Sequence, residues 1–155
     1  MELDSSRVTT ENFLTSQETY YLNGWTDGLP IIPPTPELVQ ACLDWALLPA
    51  DHLVGIEPVR ERLITAEKLA VNSVMAGCLP EHFPLVVTAF TAMLQPEFLL
   101  HGATASTGGC AVLLIVNGPI REQLGMLGTF NALGNTLKLS KFDNRVKRIN
   151  NILAA

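Results

Sequence analysis

Charge is scarce in this sequence. Only 16% of its 155 residues are Asp, Glu, Lys or Arg, while 48% are hydrophobic; globular domains usually carry about 25% charged residues. So little charge leaves apolar side chains at the surface, and association with a second copy or a partner subunit is the ordinary way to cover them. The net charge of −5 comes without a dense basic cluster, which excludes a nucleic-acid groove. The basic residues near the end (Lys138, Lys141, Arg145, Lys147 and Arg148) read as the solvated face of a helix. No apolar run reaches the ~18 residues of a membrane span. The opening MELDSSRVTT has neither the basic nor the apolar region of a signal peptide, so a cytoplasmic chain is expected. Cys42, Cys78 and Cys110 lack CxxC spacing, and three thiols in a reducing compartment read as free. His52, His82 and His101 stand apart, with no HxH or HExxH, so no metal site is expected. Neither a GK[ST] P-loop nor GxGxxG occurs, and nothing names a cofactor.

What the sequence does have is special backbone. Residues 23–35, NGWTDGLPIIPPT, place Trp, Asp, two Gly and three Pro just before a helix start. A stretch this rigid reads as a loop held in one shape, to close a site or to clamp two elements. Around it the chain divides into a flexible arm over 1–10 and a single domain over 11–155. Thr10 is placed to cap a helix over 11–22 that has a partly apolar side of Phe13, Tyr20 and Tyr21. Thr35, Pro36 and Glu37 are strong start signals for a helix over 36–47, with Cys42 on its buried stripe. A short strand is expected over 53–58, a Thr65-capped helix over 66–76 with Gly77 as its left-handed cap, and a helix that starts at Pro80 or Pro84 and ends near Gln95. Strands follow over 99–103 and 111–117; the latter, AVLLIVN, is apolar on both faces and therefore expected to be central and covered. Short and terminal helices are expected over 119–125 and 142–153. The fold class is α/β or α+β, a small and mainly buried sheet with several covering helices.

Candidate chemistry gathers at element ends. Ligands of such sheets bind beyond the carboxyl ends of strands, where Asn117 and Gly118 lie, and Asn117 can donate to a carbonyl or oxyanion. His101 opens the small-residue loop HGATASTGG; its alternatives are a catalytic or a structural histidine. Lys68 and Asn72 share one helix face, suited to a carboxylate or phosphate, or else a solvated lysine beside a backbone-bonded amide. Cys78 sits between two helices, as an activated thiol or a core residue; Glu67 lies eleven residues away, about 16 Å along a straight helix, too far to pair with it. Asp27 before Gly28 is a turn residue or a general acid/base beside Trp25.

The blocks GWTDGLPIIPPT, EKLAVNSVMAGCLPEHFPLV, VNGPI and NALG, spanning about 23–134, resemble an uncharacterised family of bacterial proteins with GWTDGLPVVPPT, EK-AVNAVMAGC-PEY-PVV and IVNGPI in this order. The resemblance singles out Trp25, Asp27, Gly28, Pro30, Pro34, Glu67, Lys68, Asn72, Gly77, Cys78, His101, Asn117 and Gly118. Some related proteins are associated with a domain bearing a selenocysteine-Gly-Ser-Cys motif, which implies thiol or redox chemistry; this chain has no Cys-Gly-Ser-Cys. After Gly134 it departs from the longer, glycine-rich continuation of the family. It thus resembles a short member, a fragment, or one subunit of a split protein.

Together these features lead to an expected small-molecule enzyme with a pocket at a strand end and Gly-rich loop. Cys78 is its nucleophile or redox thiol, His101 and Asp27 move protons, and Trp25, Lys68, Asn72, Asn117 and Gly118 bind substrate. The alternatives are a non-catalytic subunit or oligomeric scaffold, and a module that binds an anionic metabolite.

Overall fold

The computed structural model describes residues 3–26, 28–104, 107 and 112–126. Its elements run α1 (Phe13–Leu22), α2 (Pro36–Ala46), β1 (Leu53–Glu57), β2 (Arg62–Thr65), α3 (Ala66–Met75), α4 (Phe83–Met93), α5 (Leu100–Thr104) and α6 (Ile120–Gln123), with 3-10 turns at Pro80–His82 and Pro96–Phe98. The class is that of a small α/β or α+β domain. Its sheet, among the described residues, is one antiparallel hairpin, β1 on β2.

The core lies among α2, α3 and α4. Val39, Cys42 and Leu43 of α2 meet Leu69, Ala70 and Val74 of α3 and Phe83, Val86 and Phe90 of α4. The 3/4 spacing of these residues puts each set on one helix face. Leaving water stabilises them by about 25 cal/mol per Å² of apolar surface. The hairpin docks on α4, where Gly55 leaves room for Leu94; a Cβ on Gly55 would lie 2.6 Å from Leu94 Cδ1.

Local chemistry sets the boundaries. Asn12, not Thr10, caps α1, its Oδ1 accepting from Thr15 N at 3.0 Å. Phe13 and Tyr21 are exposed, and the buried residue of α1 is Ser16. Thr35 holds the N-cap position of α2 without a side-chain cap bond; it instead hydrogen-bonds the Glu37 carboxylate. Thr65 caps α3 as expected, accepting from Lys68 N at 3.3 Å, and Gly77 follows with φ +84°, a conformation that favours glycine.

Two strand expectations are corrected. Residues 100–103 of the expected 99–103 strand are helical, within α5, after a left-handed Leu99. Residues 112–117 of the expected central strand join no sheet among the described residues. Val112, Leu114 and Val116 are half-buried while Leu113 and Ile115 are exposed, and Leu114 packs on the core. Continuous hydrophobicity mistook one covered face for two. The sheet is correspondingly less buried than expected, β2 contributing only Ile64 to the core. The 142–153 helix, Cys110 and Asp27 lie outside the described residues. No single described helix is long and apolar enough to cross a membrane.

Candidate functional site

The Gly/Pro loop is fastened at both ends. Gly24, at φ +67°, turns the chain out of α1, and Trp25 N donates to Tyr20 O at 2.9 Å. Further on, the Gln17 side chain makes a two-way clamp with Ile31: Nε2 donates to Ile31 O and Oε1 accepts from Ile31 N, both at 2.9 Å. Ile32 N then donates to Met75 O at 3.2 Å, tying the loop to the end of α3. The loop therefore clamps two elements, and it also walls a cavity.

That cavity measures about 1010 Å³ and lies between the loop, one face of α3 and the N-terminal arm. Trp25, Ile31, Pro33 and Pro34 line it from the loop, Val71, Asn72 and Met75 from α3, and residues 5–10 from the arm. Tyr20 completes the wall, its ring 6.1 Å from that of Trp25 and tilted by 45°. Burial pushes the Tyr20 phenol above its ordinary pKa, so it stays a hydroxyl donor at neutral pH.

Glu67 holds the arm in place. It is buried on the first turn of α3, and its Oε2 and Oε1 accept from Asp4 N at 3.0 Å and Ser5 N at 2.8 Å. Burial pushes the Glu67 pKa up, but the Ser5 side chain and the two backbone N–H groups outweigh it and hold the carboxyl below its usual range. The segment expected to be a flexible arm is thus anchored at two backbone points, and Leu3 packs against the core. Arg7 also lines the cavity. It makes no ion pair within 4.0 Å among the described residues. Glu37 lies near enough to feel its charge; that carboxyl is held low first by its own backbone N–H, then by Thr35, with burial opposing and Arg7 adding the smallest pull.

The sequence-derived candidates divide. Trp25 and Asn72 meet at the cavity. Lys68 is exposed, its Nζ donating to Leu63 O at 3.3 Å, while Asn72 Nδ2 donates to Lys68 O at 2.8 Å. The two side chains therefore turn to backbone carbonyls rather than to one shared anion. The first N–H groups of α3 are also occupied: Ala66 N by His52 O, Glu67 N by Ala50 O and Lys68 N by Thr65 Oγ1. Cys78 is buried in the core cluster, its N donating to Ser73 O at 2.9 Å. His101 is exposed on α5; the Glu57 carboxyl near it is held low first by the Arg60 backbone N–H, against burial, with the Val59 N–H and then His101 adding smaller pulls. Asn117 and Gly118 are exposed, Gly118 with φ +92°, ahead of the four-residue α6. None of Lys68, Cys78, His101, Asn117 and Gly118 is among the described lining residues. No group of three or more His, Cys, Asp or Glu suited to a metal occurs among the described residues.

Sequence reasoning missed Arg7 and the role of Glu67. The latch joins residues 62 positions apart, beyond any local pattern; the one available signal was an acidic residue in the first turn of α3, which reads as ordinary dipole compensation. Comparison with family models, curated proteins and solved structures gives no match.

Proposed function

We propose that this protein is a small-molecule binding module whose ligand occupies the cavity between the arm, the Gly/Pro loop and α3. The observation that carries this is convergence: Trp25 and Pro34 from one sequence block and Glu67 and Asn72 from another line a single space. All four are positions singled out by the bacterial-family resemblance, and that kinship is part of the proposal. The space has the character of a ligand site, with apolar walls and a few polar groups. The thiol-enzyme reading gains no support here, because the described lining contains neither cysteine nor histidine. A cytoplasmic location belongs to the same reading and fits Cys42 and Cys78, which are buried thiols outside any disulfide.

The test is a metabolite screen by tryptophan fluorescence in a Trp45→Phe background, so that Trp25 alone reports. A compound that saturably changes this signal, is recovered unaltered and fails to bind Val71→Trp, which fills the cavity, supports the reading. No binder, or one indifferent to Val71→Trp, sinks it. Chemical conversion of the compound restores the enzyme reading.

A second reading rests on a separate surface. Leu38, Trp45 and Leu47 of the α2 region are exposed, Leu47 at 90%. This apolar exposure favours a homo-oligomer or a partner subunit, to be tested by light scattering across a concentration series.

A further inference from the structure

We propose that the cavity takes an apolar carboxylate, its body against the Trp25–Pro34 wall and its carboxylate on Arg7. The inference rests on the binding-module reading and adds the ligand's chemical class and its anchor.

The argument is a count of donors and acceptors. Glu67 is the carboxylate on the described cavity wall, and both its oxygens already accept backbone N–H groups. Unused capacity on the wall is rich in donors. The Arg7 guanidinium, the Trp25 indole N–H and the Tyr20 hydroxyl make no hydrogen bond with the described residues, and Asn72 spends one amide N–H on Lys68 O. The hydroxyls of Ser6, Thr9 and Thr10 on the same wall can donate or accept, so a ligand that brings acceptors suits all of these groups. Arginine's planar fork matches a carboxylate with two parallel N–H donors, and such charge-assisted bonds are about twice as strong as neutral ones. The competing Glu37 lies in solvent, where its hold on Arg7 is screened.

The rest of the surface sets the body. Tyr20, Trp25, Ile31, Pro33, Val71 and Met75 offer rings and aliphatic groups. Arg7 is the one cation among the described lining residues, which matches the single charge of a carboxylate better than the near-double charge of a phosphate. The volume of about 1010 Å³ is at the upper end of small-molecule clefts, so an aryl or long-chain acid has room.

The test compares 4-phenylbutyrate with its neutral amide, 4-phenylbutyramide, by calorimetry on the full chain. The expected result is a carboxylate at least about tenfold tighter than the amide. Arg7→Gln should erase the difference while leaving amide binding in place; Arg7 lies exposed on the arm, so the fold should survive the change. Val71→Trp should abolish both. Equal affinity for acid and amide, or a preference that persists in Arg7→Gln, overturns the carboxylate assignment while the cavity reading stands. If neither compound binds, the apolar-carboxylate class is overturned, and the cavity reading stands or falls on its own screen.

Discussion

The two faces of α3 are closed by different physics. One face presses Leu69, Ala70 and Val74 into α2 and α4, with exposures of 0–3%. The other, with Val71, Asn72 and Met75, meets the arm and the loop across a space they do not fill. The core face is held by many small contacts that fail together. The cavity face is held by a short list of directed hydrogen bonds, at Gln17, Ile32 and Glu67, each of which can be removed singly. Stability is concentrated on the first face, and adjustability on the second.

The sharpest way to break this contrast is to injure each face separately. Phe83→Ala empties the largest fully buried site and should cost about 3–5 kcal/mol, read as a lower urea midpoint with an unchanged slope. An effect below about 1 kcal/mol would mean that the core is not the close-packed region described. Glu67→Gln comes next. It leaves one acceptor and removes the charge, and should cost about 1–3 kcal/mol in arm docking. The readout is faster amide exchange at Asp4 and Ser5, with a much smaller change in the urea midpoint. Equal loss in both would show that arm and core are one cooperative unit.

Acid offers a matching test. Burial raises the Glu67 pKa, yet the Ser5 and Asp4 bonds leave it below its ordinary 4.5. The arm's contribution is therefore complete above that ordinary value and is lost as pH falls through the depressed one. The protection of Asp4 and Ser5, their exchange measured against the intrinsic rate at each pH, should fall over this acid range in the native protein, and Glu67→Gln should flatten the dependence.

Leu47→Gly should have a smaller effect, of opposite sign. Leu47 closes α2 at φ 54°, almost fully exposed, and glycine relieves this left-handed backbone by about 1 kcal/mol. A destabilised variant would mean that Leu47 makes a contact in solution, as the oligomer reading requires. The smallest expected effect is none at all. Cys42, its thiol pushed up to about 11 chiefly by burial and further by Glu81, and buried Cys78 should resist iodoacetamide at neutral pH until the chain unfolds. Fast native labelling of Cys78, mapped by mass spectrometry, would return the thiol to the site.

Much of the core side was legible in the sequence, because local signals governed it. Thr65 capped α3, Pro36 opened α2, and Cys42 lay on the buried stripe of α2, although Leu38 and Trp45 at the same 3/4 spacing are exposed and Val39 and Leu43 pack in their place. β2 went unread because Arg60, Glu61 and Arg62 look like a solvated connection; only pairing with β1 makes Arg62–Thr65 a strand. The 99–103 expectation failed because Leu99 takes a left-handed turn that lets a helix begin. On the cavity side, Trp25 and Asn72 were legible from unusual backbone and from helix periodicity. Arg7 was not, since a polar N-terminal segment has no periodicity, and its place depends on Glu67 far along the chain.

The Gln17 amide is, in effect, a one-residue strand. Its C=O and NH₂ complement the N–H and C=O of Ile31 as a neighbouring backbone would, so the amide's orientation is dictated by its partner. Two residues 14 positions apart are thereby joined by a rung without a ladder. Because the rung springs from the middle of α1, it ties the backbone just ahead of Pro33 and Pro34 to the same helix that Trp25 N grips through Tyr20 O, so one helix holds the loop on both sides of its turn.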